Sequence, residues 1–206
     1  MSFPDERFCS VALFTDAYFE QVRAAACTVS RPKLQAAADI LARVYGDGGT
    51  VFSCGNGGSA AIANHLVLDH CKLIQTDTKL RPRVVSLSAA VEVIAAIAND
   101  IAYGEVFRYQ LQSMAREGDA LITVSSSGNS ENIVAAALWA KEQGIPVISM
   151  TGFSGGRSAE IADVNLHVSA DNYGVIEDMH HALMHILAQY IRQSHMDEAV
   201  IRERTF

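Results

Sequence analysis

The sequence predicts an α/β fold in which five parallel strands form a doubly wound sheet between helices, preceded by a helical N-terminal arm. From about residue 50 onward, short β-branched or apolar runs alternate with longer stretches of helical periodicity, the pattern of a parallel sheet covered on both faces. The 206 residues amount to little more than one domain at the usual scale of about 150 each, and no repeat or low-complexity linker breaks the series. Half of the residues are apolar and 19% are charged. Such proportions support one packed core and exclude intrinsic disorder and collagen-like repeats.

In the arm, Phe14, Tyr18, Val22 and Ala25 recur at helical spacing, as do Leu34, Ala37, Leu41 and Tyr45, so two helices are expected there. Ser30 with Pro32 marks the start of the second and Gly46 its stop. The change of texture at Gly46 to Gly49 divides a helical arm, 1–48, from a sheet-forming domain, 49–206. An arm with apolar faces and little core of its own needs something to pack on, and it is read as an oligomerisation element. The expected strands are TVFSC (50–54), RVVSL (83–87), ALITVS (120–125), PVISM (146–150) and VNLHV (164–168). Helices are expected near 58–72, 89–98, 103–116, 130–143 and 157–162, with a long last one from about Val175 to beyond Gln189. Trp139 is read as packing between helix and sheet. Arg81 and Arg83 are placed in a solvated loop, and the RERTF end as a frayed tail.

Sixteen basic against twenty-three acidic residues give a formal charge of −7, which offers no electrostatic footprint for direct nucleic-acid binding. The longest unbroken apolar run, Ile133 to Ala140, has eight residues, far below the roughly 20 of a membrane span. The opening MSFPDERF lacks the basic start and apolar stretch of a secretory signal, so a soluble cytoplasmic protein is expected. Cys9, Cys27, Cys54 and Cys71 form no CxxC pair and no Cys/His ligand spacing, and are read as free thiols filling the core.

Two Gly/Ser segments each follow an expected strand and open an expected helix: CGNGGSAA, Cys54 to Ala61, and SSSGNSEN, Ser125 to Asn132. In a doubly wound sheet such loops lie at the ligand crevice, where a helix N-terminus presents unpaired N–H groups to an anion. Gly57 and Gly58 let the backbone close around a phosphate, and Ser125, Ser127 and Ser130 add hydroxyl donors. The plainer alternative is that both are tight turns whose Ser or Asn caps the next helix. Neither GxGxxG nor GxxxxGK[ST] occurs, so no nucleotide cofactor is expected.

Two stripes carry metal-type side chains. His65 and Asp69 are four positions apart, on one face of a helix; Glu177, His181 and His185 recur every four over two turns. If the stripes face one another, they supply nitrogen and oxygen ligands suited to a divalent transition metal such as zinc. Asp178 and His180 fall on another face, toward a neighbouring subunit or water.

SSSGNS followed by an amphipathic helix and the PVISMTG strand resembles the SIS (sugar isomerase) domain, a phosphosugar-binding module with a flavodoxin-like sheet. CGNGGSAAIANHLVLDH, Asn99-Asp100, SSSGNS and the terminal GVIEDMHHALMHIL resemble its phosphoheptose isomerase branch, which converts sedoheptulose 7-phosphate to D-glycero-D-manno-heptose 7-phosphate. The resemblance implies a phosphate grip by Ser125, Ser127 and Ser130 with Ser126 as a further donor, sugar-phosphate contacts at Asn56 and Ser59, and Asn99 with Asp100 on the hydroxyl side. It also implies acid/base residues at Asp69, where the family has glutamate, and at His185. A divalent metal, commonly zinc, is implied at His65, Asp69, His185 and Glu177, the last replacing a family glutamine. The relatives' habit implies a homotetramer with active sites between subunits.

Aldose–ketose isomerisation moves a proton between adjacent carbons through an enediol, and so needs a base, an acid and stabilisation of oxyanion charge. Asp69 and His185 are expected to divide the proton transfers. Aspartate is one methylene short of glutamate, and a reach error of about 1 Å can cost about a hundredfold in rate. A second reading is a non-catalytic phosphosugar-binding or adaptor protein, for example a partner of a replication initiator; four convergent metal-type side chains favour the enzyme.

Overall fold

The computed structural model describes residues 3–206. Strands β1 (Thr50–Gly55), β2 (Arg83–Ser86), β3 (Ala120–Ser125), β4 (Val147–Thr151) and β5 (Val164–His167) form one parallel sheet in the order β2-β1-β3-β4-β5. Each lies within a residue of its expected span. β1 and β3 are buried at every position, which is why their sequences show continuous apolar and small residues rather than alternation.

The helices are α1 (Val11–Thr28), α2 (Arg31–Gly46), α3 (Gly58–Leu68), α4 (Val91–Asp100), α5 (Arg108–Met114), α6 (Glu131–Glu142), α7 (Gly156–Ile161), α8 (Tyr173–Ser194) and α9 (Glu198–Ile201). On one face of the sheet, Leu41 of α2, Ile62 of α3 and Leu183 of α8 pack with Ile122 and Ile148. On the other, Ile97 of α4, Leu111 of α5 and Ile133 of α6 pack with Phe52 and Leu121. Half-buried Trp139 borders this second cluster.

Ser10 and Ser30 cap α1 and α2, their hydroxyls accepting from the amides of Leu13 and Lys33. The two arm helices differ in fate. α2 shares the main core through Ala37, Ala38, Leu41 and Val44, whereas α1 buries only Ala25 and is tied to α8 by the Tyr18 hydroxyl, which donates to Asp178 at 2.7 Å.

Several expectations are corrected. The helix expected over 58–72 ends at Leu68 and continues as a π-helical turn, Asp69–Ile74, because hydrophobic periodicity does not distinguish a local change of winding. The helix expected over 103–116 is a 3₁₀ turn, Tyr103–Glu105, followed by α5. The RERTF end is not frayed: Arg204 pairs with Asp77, and the Phe206 ring lies 4.6 Å from the Arg192 guanidinium carbon. All four cysteines are free, but Cys9 and Cys27 are exposed because they lie before and on the helix that stands off the sheet. Among the described residues, no helix is long and apolar enough to cross a membrane.

Candidate active site

Central strands β1 and β3 are neighbours, yet the chain leaves β1 toward β2 and β3 toward β4. A crevice opens beyond the carboxyl ends of strands at such a reversal, and both Gly/Ser segments lie there. Asn56, Ser59, Ser125, Ser126, Ser127 and Ser130, with Tyr173 and Glu177, line a cavity of about 170 Å³.

Within the serine loop, Ser125 Oγ accepts from the Gly128 amide at 3.1 Å, and Ser127 Oγ accepts from the Asn129 amide at 3.3 Å. Gly128 has φ +65°, and a Cβ there would fall 1.9 Å from the Gly155 carbonyl oxygen; only glycine fits both constraints. Ser126 is 5% exposed and its hydroxyl has no partner. A buried orphan of this kind costs about 1–3 kcal/mol, a penalty that an acceptor oxygen in the cavity would remove. Ser130 stands at the N-cap of α6 and Gly57 at that of α3, and neither helix has a side-chain cap bond. The first two N–H groups of each, at Gly58 and Ser59 and at Glu131 and Asn132, therefore remain available to an anion.

Three residues of this region lay beyond the sequence argument. Asn56 Nδ2 donates to Asn132 Oδ1, and Asn132 Nδ2 donates to Asn56 Oδ1, both at 2.9 Å. The Tyr103 hydroxyl also donates to Asn56 Oδ1 at 2.9 Å, and Tyr173 borders the cavity. Asn132 sits inside SSSGNSEN, so the motif itself carried the one available signal for it.

The histidine and carboxylate stripes meet. Asp69 Oδ2 lies 2.6 Å from His185 Nδ1, and Asp69 Oδ1 lies 3.5 Å from His65 Nε2. The histidine side chains are 40% exposed and that of Asp69 only 13%. The shorter aspartate thus spans to both rings, from the first residue of the π turn. Ligand atoms of His65, Asp69 and His185 lie within 4.8 Å of one another, a two-imidazole, one-carboxylate set that fits a divalent transition ion. The His181 ring centroid is 5.9 Å from that of His65; burial first, then His65 and His185, lowers the His181 pKa.

Glu177 is placed elsewhere. Among the described residues it is outside that three-residue group, and its carboxylate rests on Gly58, where a Cβ would come within 2.4 Å of Oε2. Asn99 and Asp100 end α4, outside the cavity lining, with Asn99 Nδ2 donating to Asp100 Oδ1 at 2.7 Å. Asp178 meets Tyr18 of its own chain. His180, expected to face a neighbour or water, is instead fully buried with both ring nitrogens unpartnered. It lies four residues after buried Ile176 and three before buried Leu183, on the face of α8 turned to the sheet.

The SIS domain family matches residues 17–152. Phosphoheptose isomerase of Mycobacterium tuberculosis (strain CDC 1551 / Oshkosh) is 38% identical over 162 residues, covering 78% of this chain and 81% of the relative. That of Geotalea uraniireducens is 33% identical over 162 residues, covering 79% and 85%. The chain belongs to the SIS domain family, on its phosphoheptose isomerase branch. Among solved structures, phosphoheptose isomerase GmhA from Neisseria gonorrhoeae is similar at 31% identity with a TM-score of 0.80, covering 89% of this SIS protein and 97% of that chain.

In this SIS domain, α3 and α8 both begin at the serine cavity and both carry cluster residues farther along. His65 follows Ser59 by six residues and His185 follows Glu177 by eight, so at about 1.5 Å per residue the cluster lies roughly 9–12 Å along each helix from the cavity. The serine cavity and the histidine–carboxylate cluster are thereby held at a fixed separation by two rigid elements.

Proposed function

We propose that this protein is a phosphosugar aldose–ketose isomerase that converts sedoheptulose 7-phosphate to D-glycero-D-manno-heptose 7-phosphate through an enediol. One observation carries the reading: Asp69 bridges His65 and His185 on the same two helices that start at the serine cavity. A phosphate in the cavity leaves an extended seven-carbon chain pointing along those helices toward the cluster. Simple binding of a phosphosugar has no use for that second end.

Ser125, Ser126, Ser127 and Ser130, with Asn56, Ser59 and the open N-terminus of α6, hold the phosphate. No basic side chain lines the cavity, so hydroxyl and amide dipoles carry the recognition. Asp69 and His185 divide the proton transfers, one taking the proton from carbon while the other serves the adjacent oxygen. Nδ1 of His185 donates to Asp69 Oδ2, which leaves Nε2 as the ring nitrogen free to face the ion or the substrate. A divalent ion, which we assign as zinc, would be held by His65, Asp69 and His185 and would supply polarisation of the substrate carbonyl. Asn99 and Asp100, four and three residues before Tyr103 with its bond to Asn56, serve the hydroxyl side of the sugar. We further propose a cytoplasmic homotetramer with active sites between subunits.

The test is turnover of sedoheptulose 7-phosphate with and without added zinc, together with solvent-proton exchange at the carbons flanking its carbonyl. Zinc-sensitive product formation with exchange is expected. Tight binding with neither turnover nor exchange would overturn the isomerase in favour of a binding protein.

A further inference from the structure

Two ties join α8 to the segment containing the π turn, in the same register. His185 and Asp69 are 116 residues apart, and so are Arg192 and Thr76. Arg192 lies seven residues after His185, hence two turns farther along the same face of α8. Its side chain is 3% exposed. Nε donates to the Thr76 carbonyl at 3.2 Å, Nη2 to Asp77 Oδ2 at 3.1 Å and Nη1 to the Thr205 carbonyl at 3.2 Å. Asp77 Oδ2 also accepts from Arg204 Nε at 2.9 Å, and Phe206 covers the guanidinium.

We propose that Arg192, locked by Asp77 and the 204–206 segment, is a positioning residue that sets the register in which Asp69 meets His185. The proposal goes beyond the isomerase reading in assigning a new residue, but its catalytic consequence rests on that reading. A π turn winds less tightly than an α-helix and is rarely sustained without outside support. Asp69 is its first residue, and within its own helix the 3.5 Å approach to His65 is a loose restraint on how far it leans toward α8. A planar guanidinium bonded in three directions resists both sliding and rotation, which a single ion pair does not. Asp77 holds φ +62°, a conformation costly for a non-glycine residue and maintained when surrounding contacts over-determine it. The Arg192 and Arg204 contacts provide that determination. Proton-transfer groups need placement within about 0.5 Å, and the short Asp69 side chain leaves little slack.

The experiment uses Arg192→Met, Arg192→Lys and Asp77→Gly in the full chain; glycine suits the positive φ, so the last variant removes the carboxylate without adding backbone strain. Two readouts are taken, kinetics with sedoheptulose 7-phosphate and the NMR signal of the His185 Nδ1 proton, with the His167 ring near Thr151 as a remote control. Expected for Arg192→Met and Asp77→Gly is a fall in kcat of about ten- to a hundredfold, KM within about twofold, a displaced or lost His185 signal and an unchanged His167 signal. Arg192→Lys should recover part of both. Folded variants that keep the wild-type His185 signal overturn the positioning role, whatever happens to kcat. Absence of wild-type turnover overturns the isomerase reading alone, and the ring-proton comparison still decides the role of Arg192.

Discussion

Asn56 and Asn132 face each other in a reciprocal pair, each Nδ2 donating to the other's Oδ1 at 2.9 Å. They are 76 residues apart in sequence and bind the loop after β1 to the first turn of α6. The cavity walls from the two central strands are thus fixed to one another before any ligand arrives, and preorganised walls bind at lower entropic cost. Tyr103 adds a third strand of restraint through the same Asn56 oxygen.

Asn132→Asp preserves shape but replaces the donor with an acceptor, so two oxygens confront one another. Substrate KM should rise about tenfold with kcat little changed, and stability should fall by about 1–2 kcal/mol. Steady-state kinetics and urea unfolding check both. An unchanged KM would show that the pair does not shape the phosphate end.

Ser126→Ala should move two measurements in opposite directions. Removing a buried hydroxyl that has no partner should leave the ligand-free protein as stable or slightly more so, while a lost bond to an anionic ligand costs about 1.5–3 kcal/mol, roughly ten- to a hundredfold in affinity. Thermal unfolding with and without sedoheptulose 7-phosphate separates the effects. Full ligand stabilisation in the variant would remove Ser126 from the grip.

Asp69 already closes to 2.6 Å from His185. Asp69→Asn removes the charge and should lower kcat by about a hundredfold or more. Asp69→Glu adds a methylene where the gap is already spanned, and should lower kcat by about tenfold by displacing the contact. Faster turnover by the glutamate variant would mean that the site is not built around aspartate.

The pH dependence of stability has two clear contributors. Burial pushes His180 down to about 4, and pushes His70 down to about 4 with Asp69 opposing. In the unfolded chain both titrate near 6.5. Between these values the unfolded state binds more protons, so this stability is complete above about pH 6.5 and is lost as the pH falls toward about 4. His180→Leu should flatten the decline in urea midpoint over that window and raise stability at its acid end. A slope equal to wild type would exclude His180 as a contributor.

Much of this was legible in the chain because it depends on local signals. The five strands follow from uninterrupted apolar and small residues, and the meeting of His65, Asp69 and His185 follows from two four-residue spacings once the helices adjoin. Other features are tertiary. The Asn56–Asn132 exchange and the Arg192–Asp77 tie join residues far apart in sequence, and no spacing announces them. Winding at Asp69–Ile74 changes without a change in hydrophobic pattern. Glu177 has the spacing of a ligand, yet the rotation of α8 brings its carboxylate to Gly58 instead. His180 could have been assigned to the core from Ile176 and Leu183, since helical periodicity places all three on one face.

Because every strand runs the same way, the molecule has a working rim and a rim that only closes the chain. Gly128 on the first has its missing side chain's space occupied by the Gly155 carbonyl, while Gly144, in the turn entering β4, has φ +71° and open space around it. Sequence change is therefore tolerated unequally at the two ends of the sheet. Lengthened turns, affinity tags or new chain termini belong beside Gly144, where the barrier to alteration is backbone conformation alone and the chemistry lies a full sheet's height away.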